Sequence, residues 1–272
     1  MATQQLQHKR TLIDYRKEGG IGIAEFNHPP ANTYTYEFMQ DLDSIIEEVR
    51  FDEEVGVCIL TNKAGTSMFS AGAHIPMLQK ADPKWKAMFC LNAQETLDKM
   101  ARTPKIFIAA IRGHCVGGGL EIALATDLRF MHRVKGPKTP KIGLPEITLG
   151  VLPGTGGTQR LARLIGTSKA LDLMITGRLL EADEAEKFGI VNYVWDEAEF
   201  WSKTWEYADR IAKGPRRASG FIKRAVMEGV QMSLNNGLAL ERELQNQLFA
   251  MEDAKEGFTA YVEKRQANWK NK

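Results

Sequence analysis

The stretch that most constrains the fold is an apolar run followed almost at once by three glycines and an acid. Lys105 to Arg112 (KIFIAAIR) reads as a buried strand. His114, Cys115 and Val116 come next, and Gly117-Gly118-Gly119-Leu120-Glu121 then opens a short helix. Glycine permits backbone angles and close approaches that a Cβ forbids. At a helix start the first N–H groups have no intrahelical acceptor and can face a bound group. Such a site can oppose negative charge on an oxygen, and Glu121 sits in its first turn. The same residues also suit a plain strand-to-helix turn with an acid favoured by the helix dipole.

The neighbouring segments repeat the alternation of strand and helix. Ile21 to Phe26 (IGIAEF) reads as a strand and is followed by the turn-like NHPPAN. Phe38, Leu42, Ile45, Ile46 and Val49 recur at helical spacing between Tyr34 and Arg50. Val55 to Thr61 is a buried strand, Asn92 to Met100 a helix and Asp127 to Met131 a strand. Lys135 to Pro140 reads as an exposed loop. Ser168 to Thr176 and Glu184 to Phe188 look helical, with a last short strand from Ile190 to Val194. From about Glu199 helical patterning dominates. The expected organisation is an α/β body, 1–198, followed by a helical region, 199–272.

Two further segments could carry chemistry. In Gly143-Leu144-Pro145-Glu146, Pro145 biases Leu144 toward extended backbone and leaves Glu146 at a rigid corner. The run from Gly150 to Gly157 (GVLPGTGG) could bring another amide to a ligand. It lacks the Lys-Ser/Thr ending of a phosphate loop, and a surface turn with a solvated Glu is the bland alternative. Phe69 to Ile75 (FSAGAHI) lets backbone approach a ligand, and Ser70 lies outside a GxSxG elbow, which argues against a hydrolase triad there. Of the isolated histidines, His74 and His114 flank these loops and read as structural. His8, His28 and His132 read as loop or surface residues. Arg216, Arg217, Lys223 and Arg224 form a modest basic patch that reads as a solvated helix face.

Composition narrows the function classes. The 272 residues include 36 Lys+Arg and 34 Asp+Glu, so global charge gives no reason to expect nucleic acid. Cys58, Cys90 and Cys115 are an odd, unclustered set, which suits free thiols in a reducing compartment. With no CxxC or HExxH, a zinc site is not expected. MATQQLQHKR has no apolar core of a secretory signal, and no run reaches a membrane span. A cytoplasmic protein without a membrane partner is the expectation.

Taken in order, these segments resemble the crotonase superfamily of enoyl-CoA hydratases and isomerases. The resemblance rests on Ile108 to Asp127, Gly143 to Leu161, Phe69 to Ile75 and the C-terminal AYVEKRQANWK, Ala260 to Lys270. It implies a spiral of repeated ββα units followed by helices that trimerise the protein, with two trimers often stacking into a hexamer. It implies a CoA thioester substrate and no metal or organic cofactor, coenzyme A entering only as part of the substrate. The thioester carbonyl would lie between the amides of Ala73 and Gly118, and Gly154 would help hold a reacting water. Ala71, Ala73 and Ile75 would line the CoA pocket. Tyr261 and Lys264 would reach CoA, in a neighbouring subunit if not in their own.

The retention of both Glu121 and Glu146 favours a hydratase, with Glu121 the base that activates water and Glu146 the acid that protonates Cα. An isomerase on the same fold needs chiefly the carboxylate at Glu146. A non-catalytic acyl-CoA-binding or RNA-binding relative is the other alternative, and the two acids argue against it. The sequence departs from the commonest family pattern at His74, where Asp is frequent, and at Leu144, where Gln is frequent and where Leu would make the pocket wall less polar.

Overall fold

The computed structural model describes residues 8–136 and 139–272. Residues 1–7 of the N-terminal segment, and Pro137 and Lys138 of the expected loop, lie outside the described residues.

The chain runs β1 (Ile13–Glu18), β2 (Ile21–Phe26), α1 (Tyr36–Phe51), β3 (Val57–Asn62), β4 (Met68–Ser70), α2 (Ile75–Lys80) and α3 (Pro83–Arg102). It continues with β5 (Ile106–Ile111), β6 (His114–Val116), α4 (Gly118–Leu124), β7 (Leu128–Arg133) and β8 (Ile142–Gly143). A 3-10 turn, Glu146–Leu149, precedes α5 (Gly157–Ile165), α6 (Thr167–Thr176), α7 (Ala182–Phe188) and β9 (Tyr193–Asp196). Four helices follow: α8 (Glu197–Ala212), α9 (Arg216–Gly229), α10 (Leu234–Phe249) and α11 (Glu252–Val262).

The strands form two sheets. The larger has the order β1-β2-β3-β5-β7-β9, with only β1 and β2 antiparallel. The smaller has the order β4-β6-β8 and is parallel. Each of β3, β5 and β7 in the large sheet is followed by β4, β6 or β8 in the small one, and each pair then leads into a helix or helical turn. These are the ββα units. The short second strands escape a reading by periodicity, because three residues cannot display a period of two.

The large sheet is buried on both faces, which is why its strands read as continuous apolar runs. Cys58 and Leu60 point into one core with Phe38, Leu42 and Ile46 of α1 and Leu97 of α3. Ile59, Ile108 and Phe130 point the other way, against Phe200 and Ala208 of α8. Helix α3 begins nine residues before the expected Asn92. Asp82 caps it by accepting from the Lys84 and Trp85 N–H groups, and Pro83 opens its first turn. Its first turns carry few buried residues, so no apolar stripe announced them. His132, expected at the surface, is buried in β7.

Lys223 also departs from its expected solvated face. It is 6% exposed, and its Nζ donates to Asp127 Oδ2 at 2.9 Å and to the carbonyls of Lys105 and Met100 at 3.0 and 3.2 Å. Asp127 Oδ2 also accepts from the Phe107 N–H at 2.7 Å. This pair ties α9 to the strand that leads into the glycine triplet. Lys223→Met should therefore strand a buried carboxylate and cost about 3 kcal/mol, read as a shift in the urea midpoint with unchanged slope.

Candidate active site

The small sheet sets the site. Its register pairs Ser70 with Cys115 and Val116 with Gly143, so three loops leave the same edge side by side. The first carries Ala73, the second Gly118 and Glu121, and the third Glu146. A cavity of about 370 Å³ opens among them, lined by Ala71, Ala73, Ile75, Gly118, Glu121, Glu146 and Gly154 together with Tyr34, Phe89 and Thr155.

Gly117 and Gly118 show why glycine is required here. Gly117 is the N-cap of α4 and takes φ +56° with ψ −134°, outside the reach of ordinary L residues. A Cβ on Gly118 would collide with the Tyr34 ring. Among the described residues, the N–H groups of Ala73, Gly118 and Gly154 donate to no acceptor in the chain. Ala73 and Gly118 therefore present two unspent donors to the cavity.

Glu121 projects from the first turn of α4 and is 2% exposed. Its Oε1 accepts from the N–H groups of Thr155 and Gly157, both at 2.7 Å. Burial raises its pKa, and those two amides and the Arg160 charge oppose the rise. Its Oε2 carries no bond within the described residues, so one carboxylate oxygen is anchored and the other is available. Thr155 and Gly157 lie in the glycine-rich run, and only the fold shows that their amides serve Glu121. The Gly154 carbonyl is itself held by Gln94 Nε2 at 2.7 Å.

Glu146 opens the 3-10 turn. Burial pushes its carboxyl up to about 7; the Glu121 charge adds to the rise, and its own main-chain N–H partly offsets it. Its Oε2 is buried without a hydrogen-bond partner. Two carboxyl groups thus face one cavity in unequal surroundings, Glu121 held by two amides of another loop and Glu146 with one buried oxygen unpartnered.

Other expected positions fall elsewhere. Leu144 is 1% exposed and packs in the core, close to where a Cβ on Gly157 would lie, and so stands behind the cavity wall. Tyr261 is 85% exposed on α11, and Lys264 follows that helix in a left-handed conformation. Neither lines the cavity that holds Glu121 and Glu146. Tyr261 instead borders a separate cavity of about 560 Å³ among the C-terminal helices, with Phe249, Phe258 and Trp269. His74 caps α2, its Nδ1 accepting from the Met77 N–H at 3.3 Å. An Asp would do the same capping work there.

The chain matches the enoyl-CoA hydratase/isomerase family over residues 16–272. A short-chain-enoyl-CoA hydratase of Clostridium acetobutylicum is 34% identical over 250 residues, covering 92% of this chain and 94% of its own. The crystal structure of an enoyl-CoA hydratase from Geobacillus kaustophilus HTA426 superposes with a TM-score of 0.93 at 48% identity, covering 97% of this chain and 98% of that one. The enoyl-CoA hydratase structure from Bacillus anthracis gives 0.90 at 31% identity, covering 96% and 100%. The chain belongs to the enoyl-CoA hydratase/isomerase family, and it is an enzyme of the hydratase kind that handles acyl-CoA thioesters.

The raised proton affinity of Glu146 has a stability consequence. The folded value of about 7 lies above the ordinary 4.5, so protonation favours the native state. That contribution is complete below about pH 4.5 and is lost as pH rises through about 7. Glu146→Gln keeps a neutral side chain throughout. At about pH 8 it should be more stable than the wild type by roughly 1 kcal/mol after solvent screening, with the gap closing toward pH 5, as read by thermal melting across pH.

Proposed function

We propose that this protein adds water across the 2,3 double bond of a 2-enoyl-CoA to give a 3-hydroxyacyl-CoA. The observation that carries the reading is the pair of unequal carboxyl groups facing one cavity beside two unspent main-chain donors. Glu121, anchored through Oε1, takes a proton from water with Oε2. The water oxygen bonds to Cβ, and the π electrons move through Cα onto the thioester oxygen. The N–H groups of Ala73 and Gly118 oppose that charge, and one such donor is worth roughly 3 kcal/mol of barrier. Glu146 delivers its proton to Cα as the enolate collapses. Return of the proton from Glu121 to Glu146 resets the pair, so one water is consumed and no other reactant is needed.

The free N–H of Gly154 supports a role in holding the attacking water. The chemistry calls for no metal or organic cofactor. The positions of Ala71 and Ile75 on the cavity wall support contact with the CoA portion. Three free thiols support a reducing, cytoplasmic location; among the described residues, no helix is long and apolar enough to cross a membrane. The burial of Lys223, the largest departure from an exposed basic face, weighs against an RNA-binding role.

The reading extends to assembly. Ile222, Val226 and Val230, spaced four residues apart on and just beyond α9, are exposed, as are Leu234 and Leu238 of α10. A stripe of this kind supports burial against further copies in a homotrimer or a dimer of trimers. In such an assembly Tyr261 and Lys264 would reach the CoA of a neighbouring subunit.

Two measurements test these statements. With crotonyl-CoA, loss of the conjugated thioester absorbance should be fast for the wild type, with kcat reduced at least about 100-fold in both Glu121→Gln and Glu146→Gln. Unaffected variants would overturn the two-carboxylate mechanism, and conversion of a 3-enoyl-CoA without 3-hydroxy product would mark an isomerase. Sedimentation equilibrium should give a mass at least three times the 30.5 kDa of the chain, falling in Val226→Asp; a wild-type monomer would refute the assembly.

A further inference from the structure

Tyr34 is a buried hydroxyl at the centre of the site, 4% exposed, that the proposed reaction leaves without a task. Its main chain brackets Ala73: the Tyr34 N–H donates to the Gly72 carbonyl at 2.9 Å, and its carbonyl accepts from the His74 N–H at 3.1 Å. Its ring fills the space beside Gly118 that a Cβ would need. Its hydroxyl lies 2.8 Å from Thr155 Oγ1, across 121 residues of sequence. Thr155 in turn gives its N–H to Glu121 Oε1, and its hydroxyl favours the ionised form of Glu121. One residue therefore touches both oxyanion donors and, through one intermediary, the base. On the outer side its ring stacks on Phe89 at 5.8 Å, and Phe89 stacks on Trp85 at 5.2 Å, so the ring has little room to move.

We propose that Tyr34 is a positioning residue that couples the two halves of the site, holding the Ala73 and Gly118 amides on one side and, by fixing Thr155, whose N–H binds Glu121, the Glu121 carboxylate on the other. This rests on Glu121 acting as the base. Tyr34 donates to Thr155 Oγ1 in the proposed chain, and Thr155 in turn donates its main-chain N–H to Glu121 Oε1. Burial and the Glu121 charge both raise the proton affinity of the phenol, so it stays a donor across the working range of pH.

The test is a double-mutant cycle of Tyr34→Phe and Thr155→Val, assayed for kcat, KM and pH dependence with crotonyl-CoA, with thermal melting to check the fold. Phenylalanine keeps the ring against Gly118 and removes only the hydroxyl. The expected result is a roughly tenfold drop in kcat for Tyr34→Phe, the loss of one hydrogen bond's worth of barrier, with KM changed less than twofold. The acidic limb of kcat should move to higher pH, because Glu121 holds its proton more tightly once the donor chain is broken. The double variant should lose no more than Thr155→Val alone, since the two hydroxyls act in series. Wild-type kcat and pH profile in Tyr34→Phe would overturn the proposal, as would losses that multiply in the double variant. Glu121→Gln in the same assay separates the two failures. Wild-type rates in Glu121→Gln would remove the reading beneath the proposal. An inactive Glu121→Gln beside an unchanged Tyr34→Phe would remove only the role of Tyr34.

Discussion

The carboxylate of Glu121, held by two main-chain amides, is the interaction on which the rest of the site depends. A buried acid is costly unless its oxygens find donors. Thr155 and Gly157 supply them at 2.7 Å, and in doing so they fasten the loop before α5 to the first turn of α4. These bonds add a second tie between loops whose bases are already paired by β6 and β8. Each donor of this charge-assisted kind contributes roughly 1.5–3 kcal/mol, so the loop closure and the tuning of the acid come from the same atoms. Only one oxygen is consumed, which leaves the other oriented by a rigid anchor.

Glu146 is built on the opposite principle. It receives no comparable donors, and its Oε2 is buried and orphaned. Native proteins seldom leave such a group unsatisfied, and a protonated carboxyl is the least costly state for it. The two acids differ because one faces the amides of a glycine-rich turn and the other a 3-10 turn with apolar surroundings. The difference in proton affinity between the two carboxyl groups thus follows from their surroundings, with the side chains chemically identical.

Much of this was legible in the sequence, and for physical reasons. Strands buried on both faces announce themselves as apolar runs, and Lys105 to Arg112 and Val55 to Thr61 did so. Glycine clusters mark close backbone approach, and Gly117 to Gly119 did that too. The small sheet was not legible, because its strands have two or three residues and no period. Neither were Thr155 and Tyr34, whose meaning depends on a contact across 121 residues. Leu144 was misplaced because one turn of backbone decides whether a residue faces the cavity or the core behind it. Lys223 was misjudged because a lysine on a polar helix signals burial only when its partner, Asp127, is known.

The two-sheet arrangement separates labour within the molecule. The large sheet, packed on both faces, carries the bulk of the apolar burial, while the small sheet does little more than hold three loops in register. Helices α2 and α3, which bring Ile75 and Phe89 to the cavity, contribute no strand to this frame. Ile75 and Phe89 can therefore change the cavity wall without altering a strand pairing of either sheet. The frame and this part of the lining are separable pieces of one chain.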